Sequence, residues 1–121
     1  MKTFKAFLKQ LKKKPVYLED FSCREDVFSN FNKTEDPDIL ICIAVYYPGD
    51  YCGDATVIYY RKSTNKYYQT YGSHCSCYGL ENQWESDEEI NMIELEGRIL
   101  RGEEHEDGSL LCTEYLKFQQ G

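Results

Sequence analysis

Residues 39–47 read ILICIAVYY, an unbroken apolar run, and how that run is read decides the fold. It is far short of the ~18 residues of a membrane span. Its β-branched and aromatic residues suit a strand, and apolar side chains on both faces suit one covered on both sides or central in a sheet. Downstream, PGDYCGD carries turn chemistry at Pro48, Gly49, Gly53 and Asp54. ATVIYYR (55–61) then reads as a second strand, KSTN as a polar turn and KYYQTY (66–71) as a third strand. Two short connections in succession predict an antiparallel β-meander over 39–71.

Working outward, Phe4, Phe7, Leu8 and Leu11 recur at helical spacing and Pro15 closes their segment. Ser22 and Glu25 form an S-x-x-E capping box ahead of Val27, Phe28 and Phe31, and the segment ends at NKTEDPD. Residues 1–36 are therefore expected to hold N-terminal helices. On the other side, Ser86 and Glu89 suggest a second capping box, with Asp87 and Glu88 in the first turn of a helix over 86–101. Leu111, Tyr115 and Phe118 fall at helical spacing within 109–119, where the shortness of the segment keeps a strand open as the alternative. The expected architecture is one α+β domain over 1–121. Its small antiparallel sheet has three strands or more, with the N- and C-terminal helices packed on one face.

Hydrophobic residues make up 41% and charged residues 29% of the chain, the balance of a folded domain. Eleven tyrosines against six phenylalanines favour half-buried sheet and contact surface, since tyrosine is an apolar ring with a polar tip. The N-terminus lacks the apolar core and cleavage site of a signal peptide, so the six cysteines are expected as thiols in a cytoplasm. The net charge of −7 is unevenly spread. Lysines dominate the first fourteen residues, whereas between Glu81 and Asp107 only Arg98 and Arg101 oppose a long series of acids. The basic N-terminal helix reads as docked, with a solvated back, rather than as a nucleic-acid arm. The overall sign disfavours nucleic acid and points to a basic protein partner or a solvated acidic face.

The densest chemistry lies in GSHCSCYGLENQW, residues 72–84. A zinc site could draw on His74, Cys75 and Cys77, but the spacing is C-x-C without a second pair. On extended backbone Cys75 and Cys77 face one way and His74 the other, so a site would have to recruit Cys52, Cys112 or His105. Cys–His catalysis meets the same divergence, and no nucleophile motif surrounds either cysteine. Carboxylate pairs among Glu81, Glu85 and Asp87 are what so acidic a stretch yields by abundance, and no nucleotide or metalloprotease motif is present, so no cofactor is expected. Shape is the remaining reading. Gly72 and Gly79 bracket small residues that allow close packing, while Tyr78 and Trp84 offer rings suited to binding. Trp84 plugging the core is the plainer alternative.

The stretch is similar to a signature, G-[SG]-H-C-S-C-Y-G-L-E-x-Q-W, of small uncharacterised proteins encoded by bacteriophages and prophages. In those proteins too it follows a tyrosine-rich hairpin and precedes an acidic helix. The matching positions are Gly72, His74, Cys75, Ser76, Cys77, Tyr78, Gly79, Leu80, Glu81, Gln83 and Trp84. The likeness covers about residues 39–100 and leaves out the N-terminal helices. The family often has proline where this chain has Ser86, and both residues suit a helix start. The resemblance implies a phage origin and a life in the cytoplasm of the infected bacterial host, and it supplies no activity. The expectation is an accessory protein that binds a host protein with a basic surface, inhibiting a host factor or a component of antiviral defence. Its acidic face would run around Glu85–Glu89 and Glu103–Asp107. The candidate binding residues are His74, Cys75, Cys77, Tyr78, Glu81, Gln83, Trp84, Glu85, Asp87 and Glu88. A structural zinc domain using Cys75 and Cys77, a small Cys/His enzyme, and a homodimer through the sheet edge stay open.

Overall fold

The protein is described by a computed structural model, over residues 3–48, 52–75, 79–84, 87–101 and 109–120. These residues form an α+β domain of four helices and a mixed five-stranded sheet. In chain order they are α1 (Phe4–Lys13), β1 (Val16–Glu19), α2 (Arg24–Asn30), β2 (Ile39–Pro48), β3 (Cys52–Arg61), β4 (Lys66–Cys75), β5 (Glu88–Glu89), α3 (Met92–Leu100) and α4 (Ser109–Gln120). The strands lie side by side in sequence order. β1 runs parallel to β2 and every other neighbouring pair is antiparallel.

The meander is present as expected, with longer strands. β2 sits between β1 and β3, which is why its residues could be apolar on both faces. A bulge between Ile41 and Ile43 resets its alternation. Ile39 and Ile41 face one core before the bulge, Cys42 and Ile43 both face the other, and Ala44 returns to the first.

Three expectations are corrected. First, the sheet carries helices and loop on both faces. α1, α3 and α4 bury Phe4, Phe7, Leu8, Leu11, Leu95, Ile99 and Tyr115 against one face. On the opposite face α2 and residues 79–84 place Val27, Phe28, Phe31, Leu80 and Trp84. The reason is β1: its parallel pairing with β2 needs a crossover, and α2 supplies it on the second face. VYLE is too short to show a clear period, so the strand does not stand out in the sequence.

Second, the helix expected over 86–101 begins later. Glu88 and Glu89 pair with Gln69 and Tyr68 as β5, and Asn91 is the cap of α3, its side chain accepting from Glu94 N at 3.1 Å. Third, Ser22 does not box with Glu25. Its backbone N–H (3.0 Å) and its hydroxyl both donate to the Asp26 carboxylate, and Cys23 occupies the cap position of α2. Those two bonds hold the Asp26 carboxyl below its usual range.

The first core is closed by aromatic rings. Tyr115 meets Phe4 edge-on at 5.3 Å and Phe7 at 5.0 Å, and Phe118 meets Phe7 at 5.3 Å. The Tyr115 hydroxyl donates to Glu96 at 2.6 Å. Burial and that carboxylate push its ionisation up to about 12. No helix among the described residues is long and apolar enough to cross a membrane.

Candidate functional site

β4 carries the front of the signature, Gly72 to Cys75, as the continuation of the third meander strand. Gly72 is buried and paired with Ala55. A Cβ on it would lie 2.7 Å from Leu80 Cδ2 and 2.9 Å from Phe31 Cε1. The missing side chain therefore lets the chain fold back over its own strand and seat Leu80 against the sheet.

Residues 79–84 are held in that position by their own polar groups. Gln83 Oε1 accepts from Ser73 N at 2.8 Å and its Nε2 donates to Gly79 O at 2.8 Å, so one amide ties the strand to the returning loop. The Glu81 carboxylate accepts from Gly79 N at 3.0 Å. Asn82 takes a left-handed conformation, φ 65°, and its N–H donates to Phe31 O at 3.1 Å, joining the loop to the end of α2.

Trp84 completes the fit. Its ring stacks on Phe28 at 5.6 Å, meets Phe31 edge-on at 5.5 Å and packs on Tyr59 at 4.9 Å. Lys33 Nζ lies 5.0 Å from the ring centroid. The indole Nε1 is buried; no group meets it in full hydrogen-bond geometry, but its N–H acts on the neighbouring Tyr59 hydroxyl and opposes the rise in that group's ionisation. The plainer alternative for Trp84, a core plug, matches this placement.

His74 and Cys75 point to opposite faces of β4. The His74 ring lies over Gly53, where a Cβ would come 2.7 Å from Nε2, and packs edge-on against Tyr46 at 5.6 Å. Its Nδ1 donates to Cys75 O at 3.1 Å, leaving Nε2 to accept from the Tyr46 hydroxyl. Burial, with Asp20 and Glu81 nearby, raises the Tyr46 ionisation, which keeps that hydroxyl a donor. Cys75 stands opposite Cys52 in the β3–β4 register. The structure thus separates the histidine from the thiol beside it. Among the described residues no group of three His, Cys, Asp or Glu side chains is arranged to hold a metal. Cys77, Tyr78 and Glu85, also expected at the site, lie outside the described residues.

Asp87 points inward to an ion-pair network. It accepts from Arg61 Nε at 2.6 Å and Nη2 at 3.1 Å, and from the hydroxyl of the fully buried Tyr59. Arg61 Nη1 also reaches Asp36 at 3.1 Å and Asp38 at 3.3 Å. Burial alone would raise the Asp87 carboxyl, but Arg61 and Tyr59 outweigh it and hold it below the usual range. Burial and Asp87 in turn raise Tyr59.

Glu88, Glu89 and Glu94 are exposed. They line a shallow recess of about 80 Å³ at the β5 edge with Gln69, Asn91 and Arg98. A larger open groove, about 540 Å³, lies between α1 and α4 beside Phe7, Leu11, Val16 and Phe118, and includes none of the signature residues.

Sequence reasoning did not find Tyr46, Arg61, Asn82 or the role of Gly72. Only Gly72 carried a readable signal, as a glycine continuing a strand. No protein-family model, no curated protein and no solved structure matches the chain.

Proposed function

We propose that this chain is a phage accessory protein that works by protein–protein contact in the cytoplasm of an infected bacterium, presenting an acidic edge to a basic surface on a host protein, a host factor or a defence component. The observation that carries this reading is the division of labour among the acids. The Asp87 carboxylate is committed to Arg61 and the buried Tyr59, whereas Glu88, Glu89 and Glu94 stand exposed around one recess, making at most surface ion pairs. Lys66 pairs with Glu89 and Arg98 with Glu94, each at 3.4 Å, so a lysine or arginine of the partner would be met by Glu88 and by exchange of these exposed pairs, and contacts of this kind set association rate and specificity. The signature segment supports the edge from beneath. Gln83, Glu81 and Trp84 spend their polar and aromatic groups on holding the loop, and Tyr59 and Asp87 anchor the chain where it enters β5.

The test is affinity capture of the tagged chain from infected cells, beside the Glu88→Lys/Glu89→Lys variant. The expected result is one dominant host protein, released by moderate salt and lost with the variant. Repeated capture of nothing, or equal capture by the charge-reversed form, would count against the proposal.

A further inference from the structure

Cys52 and Cys75 occupy facing positions at the open end of the β3–β4 ladder. Two backbone bonds fix which kind of pair they form. Ser73 N donates to Gln83 Oε1, and Tyr67 O accepts from Ile90 N, so odd-numbered residues of β4 turn their backbone groups away from β3. Antiparallel pairs alternate between hydrogen-bonded and non-hydrogen-bonded sites, which makes Cys52–Cys75 a non-hydrogen-bonded pair like Asp54–Ser73. Side chains approach each other most closely at such sites. Both thiols lie on one face of the sheet, Cys52 exposed and Cys75 half-buried.

We propose that Cys52 and Cys75 are a cross-strand dithiol that closes to a disulfide by exchange with a small-molecule disulfide of the glutathione class. The Cys52 thiolate attacks one sulfur of the oxidised tripeptide, breaking its S–S bond, forming a mixed disulfide and releasing one tripeptide thiol. The Cys75 thiolate then attacks the Cys52 sulfur and releases the second. The protein gives up two electrons and two protons, and the small disulfide is reduced to two thiols. Facing Cβ atoms on antiparallel strands stand about 4.5–5.5 Å apart, and a disulfide draws them to about 3.8 Å. The link is therefore formed under mild strain and readily reduced, as a switchable bond is rather than a permanent staple. Closure fixes the open end of the β3–β4 ladder.

The experiment equilibrates the full chain over a series of oxidised-to-reduced glutathione ratios, quenches in acid, alkylates remaining thiols and maps peptides by mass spectrometry. The expected product is a monomer lighter by two hydrogens, with a peptide joining Cys52 to Cys75. Cys52→Ser and Cys75→Ser should each prevent it and Cys77→Ser should leave it intact. Amide exchange at Gly53 and His74 should slow on closure. Cys42, fully buried and with its thiol pushed up to about 12, serves as the unreactive internal control. Absence of the bond at every ratio, a bond mapped to Cys75 and Cys77, or an intermolecular link through Cys52 would each overturn the proposal.

Discussion

Replacing Gly72 with alanine tests whether the returning loop is as tightly fitted as its geometry says. The added methyl would sit 2.7 Å from Leu80 Cδ2 and 2.9 Å from Phe31 Cε1, against a comfortable carbon–carbon separation of about 3.5–4.0 Å. Neither neighbour has room to retreat. Leu80 is 2% and Phe31 1% exposed, and the backbone carbonyl of each is tied, to Gln83 N and Asn82 N respectively. Gly72 is not in the left-handed region, so alanine meets no backbone penalty there. Overpacking of this kind costs about 1–3 kcal/mol. Loss of glycine freedom in the unfolded chain offsets about 0.4–1 kcal/mol of it. The expected net is a destabilisation of about 1–2 kcal/mol, a fall in Tm of roughly 3–10 °C for a domain of this size. Urea and thermal unfolding followed by circular dichroism measure it. Leu80→Ala alone should cost about 2–5 kcal/mol, and adding Gly72→Ala to it should cost clearly less than in the wild type, since one clashing partner is gone. A Gly72→Ala protein as stable as wild type, or strictly additive with Leu80→Ala, would refute the close-approach argument.

Three further outcomes follow from the same region. Trp84→Ala should lose about 2–4 kcal/mol, while Trp84→Phe should lose much less because a smaller ring keeps most of the packing on Phe28, Phe31 and Tyr59; as the sole tryptophan, its emission reports the native packing directly. Asn82→Ala should cost about 1–2 kcal/mol for its left-handed backbone, whereas Asn82→Gly should be tolerated, a contrast read from paired denaturation curves. Asp87→Asn should lower stability by about 1–3 kcal/mol at neutral pH by weakening the contacts to Tyr59 and Arg61. Because the folded Asp87 carboxyl lies below its ordinary value of about 3.9, its contribution is present above that value and is lost as pH falls through the folded one. The variant should accordingly show a shallower acid slope below about pH 4, with Asp26, Glu35 and Asp38, also lowered, keeping part of it.

The long apolar elements were legible because each declares its period over several turns or strand positions. Phe4, Phe7, Leu8 and Leu11 became the buried stripe of α1, and ILICIAVYY became the strand covered on both faces. The parts that escaped depend on partners distant in sequence. β1 is a strand only because β2 offers it an edge, and Glu88–Glu89 are strand rather than helix because Tyr68 and Gln69 stand opposite. The Ser86–Glu89 spacing satisfied a local rule that sheet pairing overrode, and Asn91 took the cap in its place. At the site, the divergence of His74 from Cys75 followed from strand period alone. The inward commitment of Asp87 did not, because it requires Arg61, 26 positions earlier, to be brought across the sheet.

The loop of residues 79–84 is completed by residues far before it in the chain. Leu80 and Trp84 rest on Phe28 and Phe31, and Asn82 is bonded to the Phe31 carbonyl. A chain with the signature but without a covering helix would expose the Trp84 ring and Leu80 to water, at about 25 cal/mol for each Å² of apolar surface. It would also remove Phe31, one of the two side chains for which Gly72 makes room. Any protein that shares Gly72, Leu80 and Trp84 in this arrangement therefore needs an aromatic cover equivalent to α2, whatever sequence supplies it. The unit to test for binding is the β4–β5 edge together with that helix, because the acidic recess stands on backbone whose position the α2 contacts help to fix.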